Sequence, residues 1–121
     1  MLINILQPDF TFTDERGSLC QITSGGYTQI NSVFTKKGAV RGRGHRHEKC
    51  TEAFYIISGS VLVTATKNGE TESRLFGSGD MFSVAPGTGH SFEYKEDSYL
   101  VVMYDKPVIN PDGTKDIIEY E

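Results

Sequence analysis

The chain contains three histidines, and their placement is the first sign of chemistry. His45 and His47 stand at i, i+2, Glu52 follows shortly after, and His90 comes directly behind the turn Ala85-Pro86-Gly87-Thr88-Gly89. On a strand, an i, i+2 pair points both side chains to one face. Neutral imidazole nitrogens together with a carboxylate are a donor set for a divalent metal, and such sites are readily assembled from different strands. A His-x-His pair alone often arises by chance. The third histidine behind a Pro-Gly turn and the well-placed glutamate turn the pair into a set. His45, His47, Glu52 and His90 are therefore expected to hold one divalent ion, which the donors allow to be zinc, iron, manganese or nickel. Three imidazoles and one carboxylate leave open positions on an ion that prefers octahedral coordination, as a catalytic site requires and a closed structural zinc site does not.

Arg41 and Arg43 share the parity of His45 and His47, so on a straight strand all four side chains point inward. Burying an arginine is costly unless it is paired, and two inward arginines imply an anionic guest such as a phosphate or carboxylate. A bulge or strand end at Gly42 or Gly44 would instead turn one or both outward. Phe92 and Tyr94 share parity with His90, as do Phe54 and Ile56 with Glu52. Filling the interior is their simplest role, and walling a ligand pocket is the alternative.

These residues need strands to position them, and the chain reads as a run of short ones. β-Branched and alternating segments recur near Leu19–Thr23, Thr28–Thr35, Val40–His47, Ala53–Ile57, Ser60–Thr66, Glu72–Phe76, Asp80–Val84, Ser91–Tyr94 and Tyr99–Tyr104, with a last one near Ile117–Tyr120. Turn signals separate them. Asn68-Gly69 between two alternating runs predicts a type I′ hairpin, Ser58-Gly59 links two further runs, and Pro111-Asp112-Gly113 marks a turn. No segment keeps a helical period, so the expectation is an all-β sandwich or barrel.

The 121 residues fit a single domain spanning 1–121. With 37% hydrophobic and 23% charged residues the composition is that of a globular protein. A net charge of −4 argues against nucleic acid or an anionic membrane as the main partner, since both reward a basic face. No segment approaches the ~20 apolar residues of a membrane span, no targeting signal is legible at the start, and the cytoplasm is the expected location. The two cysteines, Cys20 and Cys50, are too few for a disulfide framework and are expected to be partly buried thiols.

His45-Arg46-His47, then Glu52, then Gly59 resembles the first motif of the cupin superfamily, and Gly79-Asp80 through Ala85-Pro86-Gly87-Thr88-Gly89-His90 resembles the second. Ala85 stands where a proline is usual, and Tyr94 replaces the customary asparagine. The resemblance implies a cupin-type jelly-roll β-barrel with a metal at its centre, held by His45, His47, Glu52 and His90, and a homodimer, since cupins commonly pair. It does not imply one reaction, because cupins include isomerases, epimerases, dioxygenases, decarboxylases and non-catalytic binders. The stretch Asp14-Glu15-Arg16-Gly17-Ser18-Leu19 is further similar to the D-x-RGS-hydrophobic segment of cupins that act on nucleotide sugars, and Arg41-Gly42 before the histidines is similar to the approach in the 3,4-ketoisomerases, with one extra residue. In those ketoisomerases the histidine pair acts as acid and base without a required metal.

The expected function is an isomerase or epimerase of a nucleotide sugar or related sugar in polysaccharide biosynthesis, with an anionic sugar as the small-molecule ligand. Arg41, Arg43 and Tyr94 are the candidate ligand-binding residues, and Tyr94 is also a candidate acid at a sugar carbon. No residue is singled out as the catalytic base. An iron-dependent dioxygenase of a small acid or thiol, and a non-enzymatic small-molecule binder, are the alternatives.

Overall fold

The computed structural model of the chain describes residues 1–117, and for residues 43–45 the backbone alone. Among the described residues the regular structure is all β: β1 Ile3–Leu6, β2 Phe10–Asp14, β3 Gly17–Gln21, β4 Gln29–Thr35, β5 Val40–His45, β6 Glu52–Ser58, β7 Ser60–Lys67, β8 Glu70–Gly77, β9 Met81–Val84, β10 Gly89–Tyr94 and β11 Ser98–Tyr104. The strand expected near Ile117–Tyr120 lies, beyond Ile117, outside the described residues. No helix of the described chain is long and apolar enough to cross a membrane.

The strands form a five-stranded sheet in the order β1-β9-β6-β11-β4, a four-stranded sheet in the order β5-β10-β7-β8, and the separate hairpin β2-β3. Every pairing is antiparallel. Alternation explains why the two larger sheets close on each other. Along β7, Val61, Val63 and Ala65 are buried while their neighbours are half-buried. These side chains meet Phe92 and Tyr94 of their own sheet, and Ile3, Phe54, Ile56, Phe82, Val84, Leu100 and Val102 of the other, in one core. The centre of that core is an aromatic stack in which Phe82 lies between Phe54 and Phe76, with ring centroids at 4.9 and 4.1 Å. The architecture is a jelly-roll barrel.

β6 is buried on both sides, so it reads as a continuous apolar run instead of an alternating one. Its Phe54 and Ile56 enter the barrel, while Ala53 packs with Met81 and Met103 on the outer face, beneath Ile22, Tyr27 and Tyr55. Asn68 and Gly69 both have positive φ, at 52° and 80°, as a type I′ turn requires, and they join β7 to β8. Gly59, between β6 and β7, has φ +104°, and a Cβ there would lie 2.2 Å from Ser98 Oγ and 2.6 Å from the Asp97 carbonyl oxygen. That corner has room for glycine alone.

Three features depart from the sequence reading. β1 is a strand, although only Ile3 of its four residues is buried. It pairs along β9 from Ile3↔Val84 to Leu6↔Met81. β2 is also a strand, and its exposed residues pair only with β3. The expected strand Val40–His47 stops at His45, so His47 sits on the loop that follows and strand parity does not orient it.

Candidate functional site

Three chain segments converge at one end of the barrel. Glu52 opens β6, His90 lies near the start of β10, and His47 comes from the loop after β5. One carboxylate oxygen, Oε1 of Glu52, lies 2.9 Å from His47 Nε2 and 3.2 Å from His90 Nε2. The three residues are 4%, 5% and 3% exposed respectively, which shields them from bulk solvent. Their ligating atoms all lie within 4.8 Å of one another. Donors held at ~2.1 Å from a common ion sit ~3 Å apart when mutually cis, so the spacing and the N, N, O chemistry both fit a divalent cation. The backbone of His45 pairs with that of His90 in the β5–β10 ladder, which brings His45 to the same end of the barrel. The side chains of His45 and Arg43 lie outside the described residues.

The electrostatics follow from this packing. Burial alone would push the Glu52 carboxyl up, but hydrogen bonds and charge from His47 and His90 reverse that and hold it at about 2. Burial opposes charge on His47 as well, yet Glu52 and the Asp116 carbonyl overcome it and raise its pKa. Tyr104 is raised, first by burial and then by the charge of Glu52. Tyr94 is raised by burial, against the lowering effect of its hydrogen bond with Thr35 and the charge of Arg41. Both phenols are therefore neutral hydrogen-bond donors near neutral pH.

The cluster forms part of the wall of a cavity of about 310 Å³. Gln29, Asn31, Arg41, Tyr94 and Tyr104 supply polar groups, and Val33, Phe54, Phe92, Val102, Val108 and Ile117 supply apolar surface. A few convergent polar groups on apolar walls are the usual make-up of a small-molecule site. Tyr94 and Arg41 both reach this cavity. Arg41 faces the cavity as parity predicts, but at the exposed rim, so it is not buried. Its guanidinium bonds Thr35 Oγ1 at 2.8 Å and the Phe34 carbonyl at 3.4 Å. A bulge interrupts the β5–β10 ladder: His90 pairs with His45 and Phe92 with Arg41, so β5 spends two more residues than β10 there, with Gly42 at φ +85°, and Arg41 stays on the face of Phe92. The Asp14–Leu19 segment does not line this cavity. It forms the β2–β3 hairpin and its turn, where Asp14 accepts from Arg16 at 2.6 Å.

Sequence reasoning missed two residues. Tyr104 ends β11 opposite Glu52. Asp116 lies beyond the last strand, and its carbonyl oxygen accepts the Nδ1 proton of His47. The pairing of β11 with β6 could have exposed the first; nothing local signals the second.

Residues 33–105 match the family described as "Cupin domain". The chain belongs to the cupin family. Solved cupin structures with a similar fold include a dTDP-4-dehydrorhamnose 3,5-epimerase from Sulfolobus tokodaii, at 21% identity and TM-score 0.76 over 92% of this chain and 74% of that one. A 3,4-ketoisomerase from Helicobacter canadensis aligns at 18% identity and TM-score 0.78, covering 96% and 89%. A mutant 3,4-ketoisomerase from Thermoanaerobacterium thermosaccharolyticum, in complex with TDP-4-keto-6-deoxyglucose, aligns at 15% identity and TM-score 0.80, covering 96% and 86%. No curated protein sequence matches the chain significantly.

Proposed function

We propose that this cupin is an isomerase or epimerase of a keto-sugar carried on a nucleotide, with a divalent ion held by His47, Glu52 and His90 and completed by His45. The observation that carries the reading is the single Glu52 oxygen facing two histidine Nε2 atoms in the wall of a cavity rimmed by Arg41. The structural neighbours lend support, since one of them binds TDP-4-keto-6-deoxyglucose.

Moving a carbonyl or inverting a neighbouring carbon requires removal of the adjacent proton and stabilisation of the enediolate oxygen. When bound, a divalent ion would supply Lewis acidity toward that oxygen. The chain's own residues provide the rest. Tyr94 and Tyr104 line the cavity with phenols that burial keeps neutral, each a donor for a substrate oxygen and a source from which a proton can return. Arg41 at the rim pairs with a phosphate. Gln29 and Asn31 offer donors and acceptors to sugar hydroxyls. The apolar walls exclude water from the reacting carbon.

A homodimer is part of the proposal. Phe10, Phe12 and Leu19 of the β2–β3 hairpin are 51%, 53% and 56% exposed, and such apolar area on a projecting hairpin is suited to a second copy. Light scattering that gives the monomer mass at micromolar concentration would contradict the dimer.

The deciding experiment incubates the protein with dTDP-4-keto-6-deoxyglucose in deuterated water and measures metal content in parallel. Deuterium at the carbon beside the ketone, with zinc, manganese or nickel bound, is the expected result. Bound iron, oxygen uptake with a small acid or thiol, and no deuterium across a panel of nucleotide sugars would replace the isomerase with the dioxygenase.

A further inference from the structure

We infer that Asp116 is a positioning residue that holds His47 in place and sets which ring nitrogen faces Glu52. This deepens the proposed function, since it concerns how one of the proposed ligands is oriented. His47 is not part of a strand and needs another anchor. Four hydrogen bonds from outside its loop supply it. Asp116 accepts the His47 Nδ1 proton at its backbone carbonyl. The Asp116 carboxylate accepts the backbone N–H groups of Glu48 and Lys49 at 2.8 and 2.9 Å, one on each oxygen. The Gly87 N–H donates to the His47 carbonyl at 2.7 Å, which ties the loop to the turn before His90.

The chemistry makes the orientation specific. A carbonyl oxygen can only accept, so Nδ1 carries a proton, and Nε2 is the nitrogen directed to Glu52, free to donate to the carboxylate when protonated or to ligate an ion when not. An acceptor behind the ring in this way fixes both tautomer and ring plane. The carboxylate does a separate job. By taking two consecutive N–H groups it holds the start of the loop against residue 116, so the carbonyl and the ring meet. Cys50 is buried beside the same carboxylate, its Sγ within 4.8 Å of it.

Asp116 is itself held by the C-terminal hairpin. Its N–H donates to the Val108 carbonyl at 2.7 Å, Ile109 bridges Lys115, and Val108 N–H reaches Gln29 Oε1 at 3.1 Å. Val108 and Gln29 both line the cavity. The segment that orients His47 therefore also shapes the ligand pocket.

The test is hydrogen exchange of the His47 ring Nδ1–H by proton NMR at fixed pH, with Co²⁺ affinity measured separately by absorbance. The wild type should show a slowly exchanging ring N–H close in space to residue 116. Asp116→Ala keeps the carbonyl but releases the loop that presents His47 to it, so it should speed exchange at least tenfold and weaken Co²⁺ binding by about tenfold, the low end of the loss when the hydrogen-bond partner of a metal ligand is lost. Asp116→Asn keeps one acceptor oxygen and should lie between the two, and it replaces the alanine variant if that one unfolds. Absence of a protected Nδ1–H in the wild type overturns the inference without any variant. So does wild-type exchange in a folded Asp116 variant, or unchanged affinity where the wild type binds Co²⁺. A wild type that binds no Co²⁺ defeats the metal reading instead, and the exchange data still decide the role of Asp116.

Discussion

Tyr104 lies directly opposite Glu52 in the β6–β11 ladder, and the Glu52 charge, after burial, raises the pKa of its hydroxyl. Directly paired residues of antiparallel strands project to the same face, so the pairing alone delivers the phenol to the site. The Tyr104 ring also meets the His47 ring edge-on, with centroids 5.6 Å apart. Tyr104→Phe should keep this ring packing and remove only the hydroxyl. Turnover on the keto-sugar, or metal affinity, should fall about 10- to 100-fold, while the urea midpoint moves little. A steady-state assay run beside a denaturation curve checks both halves.

Arg41 sits at the cavity rim, bonded to Thr35 and to the Phe34 carbonyl. If its role is to hold a phosphate, Arg41→Ala should raise KM on the order of tenfold and leave kcat nearly unchanged, because the phosphate does not change charge during the reaction. The effect should shrink as salt is added. Equal loss in kcat would assign Arg41 to the chemistry instead.

Gly59 is the motif glycine, and its requirement is steric. Any side chain there meets Ser98 and the Asp97 carbonyl at a positive φ. Gly59→Ala should cost about 1–3 kcal/mol for the backbone conformation alone, with the clash adding to it. Urea unfolding of the purified variant measures the loss.

Glu72 of β8 accepts the backbone N–H groups of Leu2 and Ile3 at 2.7 and 3.0 Å, stitching the N-terminal strand to the opposite sheet. Those bonds, led by Ile3 and Leu2, hold its carboxyl below the ordinary value of 4.5. A depressed folded pKa stabilises the fold above the unfolded value and ceases to do so as pH falls through the folded one. Glu72→Gln should therefore lower Tm at neutral pH. The gap from wild type should hold down to about pH 5 and close below it. Thermal melts of both proteins between pH 3 and 7 test this.

What could be read along the chain was whatever depends on near neighbours. The alternation that builds β7, the Asn68-Gly69 turn and the glycine at 59 are local demands of strand pleat and backbone φ, and the strands from β3 to β11 were legible for that reason. Glu52 and His90 were legible because a strand start and a Pro-Gly turn announce them. β1 was not, since its partner β9 lies far away in sequence and a single buried Ile3 leaves no period to detect. Parity places Arg41 inward, and its pairing with Phe92 keeps it on the cavity side; only its place at the open mouth leaves it exposed. His47 was assigned to a strand that ends before it. Its orientation comes from Asp116, sixty-nine residues on, through hydrogen bonds that form only when the C-terminal hairpin docks beside the barrel mouth. Such a contact depends on chain closure over a long loop and leaves no trace in local pattern. The residue types chosen for the site are thus written in the sequence, whereas their aim is set by which distant backbone groups the folded barrel brings against them.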